Sequence, residues 1–253
     1  MLKKISALLL ALVLVLGLAA CGGKKAPAPA DDKTPTQSGE TTDNTQETEN
    51  TDVPQNAENT GDSQNTDSVD EVEFQRGTVD GSTYTSDFLG ITATLDENWI
   101  IASDEQLAQL GGLVVDSFED EDVKKLLSDG STVYEFYALN QKDNSSVNIT
   151  VQELGRLGGI MVDEDAYADA NLKSLPEVLS SGGITVTKLE KTTVEFAGST
   201  HAALSLEGTV NDVALYETIV LLKNGPYMAV VTAASFDEAN PPVNLLALFQ
   251  GLQ

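Results

Sequence analysis

Few side chains in this sequence could do covalent or metal chemistry. His201 is the only histidine, set in Ser199-Thr200-His201-Ala202 at a turn entering a strand. A Ser-His-Asp triad would have to use it, and no Gly-x-Ser-x-Gly turn is present to present a nucleophile. Cys21 is the only cysteine, so metal sites built from several His or Cys ligands are excluded. No Gly-x-x-x-x-Gly-Lys-Ser/Thr run is present to cradle a phosphate. Gly155-Arg156-Leu157-Gly158-Gly159 lacks the spacing of a dinucleotide site and reads as a flexible connection. No cofactor is expected.

Carboxylates are what remain. Asp116, Glu119, Asp120, Glu121 and Asp122 form the densest acidic cluster. Oxygen ligands at that density could hold Ca²⁺ loosely, but the spacing is not that of an EF-hand. Acids at a helix N-terminus already have a use, complementing the helix dipole, and no metal site is assigned to them. The paired carboxylates of a glycoside hydrolase meet in space rather than in sequence, and nothing in the sequence marks two of these acids for that task. Tyr84, Phe88, Trp99, Tyr134, Phe136 and Tyr137 concentrate the aromatic surface. Core packing is their first reading; a ligand groove edged by Tyr134 and Tyr137, with Trp99, is the second. Trp99 follows the turn Asp96-Glu97-Asn98 and is expected to close the end of a sheet, buried, with its indole N–H on an acceptor.

These residues need a folded domain to position them, and the sequence divides sharply. The formal net charge is −26. Residues 82–253 hold 26 acidic and 8 basic side chains, 26 − 8 giving 18 net negative charges. That balance argues against nucleic acid and against anionic headgroups, which need basic patches. Residues 21–80 read as an acidic Thr/Asn/Asp/Glu-rich tether with no aromatic residue before Phe74. Such a segment cannot bury enough apolar surface to offset its ordering entropy. About 55 residues of it span on the order of 40 Å.

From residue 81 the patterning is that of a folded domain. Strands are expected on either side of a turn within residues 81–95, with Leu89, Ile91, Ala93 and Leu95 alternating. Ser103 and Gln106 form a capping box on a helix expected to stop at Gly111-Gly112, and residues 116–127 read as a second helix. Thr132 to Leu139 and Ser146 to Leu154 are expected strands; Tyr134, Phe136 and Ala138 should face one way and Val133, Glu135, Tyr137 and Leu139 the other. Asp163 to Ser180 reads as the longest helix, with Pro176 expected to kink or divide it. Runs at 184–189, 192–196, 202–210, 212–223 and 227–234 follow as an antiparallel meander. Pro241-Pro242 opens an expected last helix over 243–252. The fold class is therefore α+β, an antiparallel sheet flanked by helices.

Residues 1–20 carry the three parts of an export signal: Lys3 and Lys4, the apolar run Ile5 to Leu18, and small residues before a cleavage point. The run is shorter than the roughly 20 apolar residues of a spanning helix. Leu18-Ala19-Ala20-Cys21, followed by Gly22, resembles the lipobox of bacterial lipoproteins. That resemblance implies that Cys21 becomes a lipidated N-terminus, so the chain is expected at the outer face of the bacterial cytoplasmic membrane, anchored through Cys21.

Tyr84, Phe88-Leu89-Gly90-Ile91, Leu95 and Trp99, with the later order of strand, strand, long helix, meander and C-terminal helix, resemble PsbP/Mog1-like domains, including the DcrB-type lipoproteins. The resemblance covers most of residues 82–253 and implies an α/β/α sandwich. It carries over no catalytic residue. The expected function is a lipid-anchored extracytoplasmic binding or assembly module for a protein or small ligand, with no catalytic motif. The alternative is a cell-wall or extracellular glycan hydrolase using acidic residues.

Overall fold

The computed structural model describes residues 73–117 and 132–252. Two antiparallel sheets face each other. The small one has the order β1-β2-β3-β11, from Thr78–Asp80 (β1), Thr83–Ser86 (β2), Ile91–Thr94 (β3) and Phe249–Gly251 (β11). The large one has the order β4-β5-β6-β10-β9-β8-β7. Its strands are Trp99–Ile101 (β4), Thr132–Asn140 (β5), Ser146–Glu153 (β6), Ile184–Phe196 (β7), Ser199–Val210 (β8), Val213–Asn224 (β9) and Tyr227–Ser235 (β10). Helices Asp104–Ser117 (α1), Gly155–Met161 (α2) and Glu164–Ser181 (α3) complete the described elements, with a 3-10 helix at Pro242–Leu248. The class is α+β.

Strand alternation sends successive side chains to opposite faces of the large sheet. On β10, Met228, Val230 and Ala234 join one core, while Ala229, Val231 and Ala233 join the other. The first core lies under the helices, with Leu107 of α1 and Tyr167, Leu175 and Leu179 of α3. The second lies under the small sheet and the 3-10 helix, with Tyr84, Ile91, Leu245 and Phe249. The layer over that second face is therefore mainly a small sheet.

Several elements differ from expectation for local reasons. β1 falls within residues 21–80, the stretch read as tether; Phe74 already packs edge-on against Phe88, with ring centres 5.1 Å apart. The helix begun at Ser103 passes through Gly111 and Gly112 to Ser117; internal glycines cost about 1 kcal/mol each but end a helix only by taking the left-handed turn. Residues 118–127 of the expected second helix lie outside the described residues. The glycine-rich connection at 155–161 is the short helix α2, which leaves Leu157, Ile160 and Met161 exposed. α3 runs unbroken past Pro176, capped by Asp163, whose carboxylate accepts from the Ala166 N–H at 2.8 Å. Residues 184–196 form one strand with a bulge between Val186 and Lys188. The expected last helix is a 3-10 helix followed by β11, where Phe249 pairs with Ala93 of β3. No described helix is long and apolar enough to cross a membrane.

Candidate functional site

The cleft of interest lies where the two sheets end. β1 is the outer strand of the small sheet and β4 the outer strand of the large one, so each has one hydrogen-bonded neighbour among the described residues. A cavity of about 660 Å³ lies along them, lined by Gly77–Val79 and Gly81-Ser82 on one side, by Trp99, Ile101 and residues 102–105 on the other, and by Leu95, Leu107, Glu135 and Phe136.

Glu135 reaches this place through a bulge. The β5–β6 register slips between Tyr134 and Phe136, and a bulge turns adjacent side chains out of simple alternation. Glu135 and Phe136 therefore both lie toward the small sheet, whereas Tyr134 and Tyr137 pack on the helix side. This corrects the expected alternation, which set Glu135 with Tyr137. The Glu135 carboxylate is almost fully buried. Its Oε1 accepts from the Tyr84 hydroxyl and from the Gly77 N–H, each at 2.8 Å, and its Oε2 has no partner. Burial, then the charge of Glu135 and the hydrogen bond to it, push the Tyr84 hydroxyl well above its ordinary pKa, so Tyr84 stays a donor. Gly77 must be glycine here: a Cβ would lie 2.6 Å from the Tyr84 ring and 2.7 Å from the Thr85 carbonyl.

The rim is acidic and local in origin. Ser103 caps α1: its Oγ accepts from the Gln106 N–H at 3.4 Å, and Gln106 Oε1 accepts from the Ser103 N–H at 2.8 Å. This cap sets Asp104 and Glu105 in the first turn, where the helix dipole favours negative charge. Glu105 accepts from the Ser103 hydroxyl at 2.8 Å, which lowers its pKa. Arg76 crosses the same rim. Its guanidinium lies 3.2 Å from Asp104 and donates to the Tyr134 carbonyl at 3.0 Å.

Of the aromatic residues singled out in the sequence, only Trp99 and Phe136 line this cleft. Trp99 is half-buried on the edge strand, against Asn140, because a sheet edge covers one side of a ring and leaves the other to the cleft. Full burial at a sheet corner is thus corrected. Trp99→Ala is expected to cost about 1–2 kcal/mol, below the 3–5 kcal/mol of a fully buried aromatic; urea denaturation measures it, and native emission should fall between buried and free indole. Tyr134 and Tyr137 do not edge a groove with Trp99, since they belong to the opposite core; burial raises both hydroxyl pKa values. Of the acidic cluster, Glu119, Asp120, Glu121 and Asp122 lie outside the described residues, and Asp116 falls in the last turn of α1. Cys21 also lies outside them. Among the described residues no cluster of three or more acidic or imidazole groups could hold a metal.

His201 has a structural partner. Its Nδ1 lies 3.0 Å from Glu164 Oε1, and the same carboxylate accepts from the Ala202 and Lys223 N–H groups at 3.2 and 3.0 Å. Glu164 thus ties the start of α3 to β8 and β9. Two carboxylates escaped the sequence reading: Glu135 and Glu217. Glu217 sits on β9 between Leu206 and Ala234 on the flanking strands, wholly buried, with neither oxygen hydrogen-bonded. Burial pushes its carboxyl up to about 8. Its signal was available: it occupies an apolar phase of the alternation Leu215-x-Glu217-x-Ile219.

No protein-family profile matches this chain, and no curated protein matches it in sequence. Among solved structures it is similar to the cyanobacterial PsbP of Synechocystis sp. PCC 6803, with TM-score 0.42 and 11% identity over 70% of this chain and 98% of that one. It is similar to the Ran-binding protein Mog1p of Saccharomyces cerevisiae, with TM-score 0.35 and 10% identity over 65% and 91% of the two chains. It is also similar to LpqN of Mycobacterium tuberculosis, described as involved in cell envelope biogenesis, with TM-score 0.31 and 12% identity over 62% and 75%.

Proposed function

We propose that this protein is a lipid-anchored, extracytoplasmic binding module whose ligand enters the cleft between β1 and β4. The observation that carries the binding reading is the cleft itself. At about 660 Å³ it is of ligand-accommodating size, with an indole wall at Trp99 and a buried carboxylate at Glu135. The anchor rests on Leu18-Ala19-Ala20-Cys21, which supports a lipid thioether on Cys21 at the outer face of a bacterial cytoplasmic membrane. Acyl chains supply roughly 0.8 kcal/mol per buried methylene, and two or more chains hold stably.

Two measurements test the two halves. In cells, Cys21→Ser is expected to leave the chain unprocessed or released from the membrane fraction; normal lipid labelling of that variant would overturn the anchor. In solution, titration with low-molecular-mass envelope extract is expected to shift Trp99 emission saturably, a clean report because this is the only tryptophan. A hydrolase would also suit a cleft lined by Asp104, Glu105 and Glu135, and it predicts a different result. Recovery of the bound material cleaved would replace binding with catalysis; recovery unchanged supports a binding module.

A further inference from the structure

We infer that the ligand presents a cation, a primary ammonium or a guanidinium, to the acidic side of this cleft. The inference rests on the proposal that the cleft binds a ligand, and it names the ligand's chemistry. Three observations converge on it. Glu135 is only 4% exposed and lines the cleft, yet its Oε2 has no hydrogen-bond partner. A buried carboxylate oxygen left unpaired is costly, and an N–H donor carrying positive charge is the partner that most relieves it. Oε2 is itself buried, so a donor reaches it as the Arg76–Gly77 segment that covers Glu135 gives way. Secondly, Asp104 and Glu105 add two further carboxylates on the α1 side, while Trp99 offers an aromatic face of the kind that attracts cations.

The third observation is that the chain already places a guanidinium there. Arg76 lies 3.2 Å from Asp104 and donates to the Tyr134 carbonyl. It acts as an intramolecular placeholder on the rim, competing for Asp104 with an incoming cation. The segment that carries it leads directly into β1, and Gly77 of that segment donates to Glu135. Displacing Arg76 therefore loosens the covering of Glu135 as it frees Asp104. A lysine or arginine side chain on an extended peptide suits the site further, because the outer strands β1 and β4 offer backbone groups for strand addition. A free polyamine carries the same cationic chemistry without that backbone.

The test uses the full chain and reads Trp99 emission. The probes are the peptide acetyl-Ala-Arg-Ala-amide, spermidine, and neutral N-acetylglucosamine trisaccharide. Both cationic probes are expected to shift the emission saturably and to weaken as salt rises; the trisaccharide is not. A tighter peptide identifies a protein segment as the source, and equal or tighter spermidine identifies a free amine. Glu135→Gln, which keeps the shape and the Tyr84 bond, is expected to weaken both cations about tenfold or more. Asp104→Asn, at an exposed position, should weaken them severalfold. Arg76→Ala should strengthen them roughly two- to fivefold, the scale of losing one exposed ion pair, an outcome that a purely structural Arg76 does not give. If the trisaccharide moves Trp99 and the cations do not, the cationic inference is overturned while the cleft remains a binding site. If Glu135→Gln and Asp104→Asn both leave cation affinity unchanged, the inference is overturned as well. If no probe moves Trp99, it is again overturned, and the extract titration alone then decides whether the cleft binds anything.

Discussion

Glu217→Gln is expected to make the protein more stable near neutral pH and to flatten its stability against pH. The sign follows from where the proton sits. In the unfolded chain the carboxyl titrates near its ordinary value of 4.5, and in the folded protein burial raises it to about 8. Between those values the unfolded chain has released the proton and the folded protein still holds it. Stability is therefore full below about 4.5 and falls by about 1.4 kcal/mol per pH unit until about 8. At pH 7 the loss is about 3 kcal/mol. Glutamine cannot titrate, so the variant escapes the loss, although its amide is left unpaired in the same apolar setting. The useful quantity is the difference between the two proteins across pH, because other groups cancel in it. Urea denaturation from pH 4 to 8 should show the gap opening with rising pH. Parallel curves would mean that Glu217 is solvated or paired in solution.

Glu135, unlike Glu217, shows where sequence reading stops. The capping box at Ser103 and Gln106 was legible because both partners lie within one turn. The alternation of Val147, Ile149 and Val151 was legible because β6 is regular, and all three are buried in one core. Glu135 was not, because one bulged residue on β5 reverses the phase for its N-terminal neighbours, and no local signal announces a bulge without glycine. The last segment was ambiguous for another reason. Leu245, Leu246, Leu248 and Phe249 fit a helical face, yet Phe249 gains more by pairing with Ala93 on an open sheet edge. The cleft itself joins residues near 77, 100 and 135. Its existence depends on how two sheet edges meet, which is a tertiary fact.

The same meeting of sheets rests in part on Phe136, and Phe136→Ala is expected to cost about 3–5 kcal/mol. Phe136 belongs to β5 of the large sheet and is 2% exposed. Its ring stacks on Tyr84 of β2 with centres 4.4 Å apart and meets Phe249 of β11 edge-on at 6.1 Å. Both partners are in the small sheet, so Phe136 rivets one sheet to the other. Each aromatic pair adds about 0.5–1.5 kcal/mol beyond the area buried, which places this truncation toward the upper part of the range. The consequence reaches the cleft, because Tyr84 also donates to Glu135 and loses its stacking support. Trp99 emission should move to longer wavelength in the folded variant as the wall opens, and cation affinity should fall with it. Phe136→Leu keeps most of the volume and should cost less than half as much. Urea denaturation gives both numbers; a loss under about 1 kcal/mol for Phe136→Ala would show that the small sheet is held elsewhere, and attention would pass to Phe249 and its contact with Phe196, 5.4 Å away.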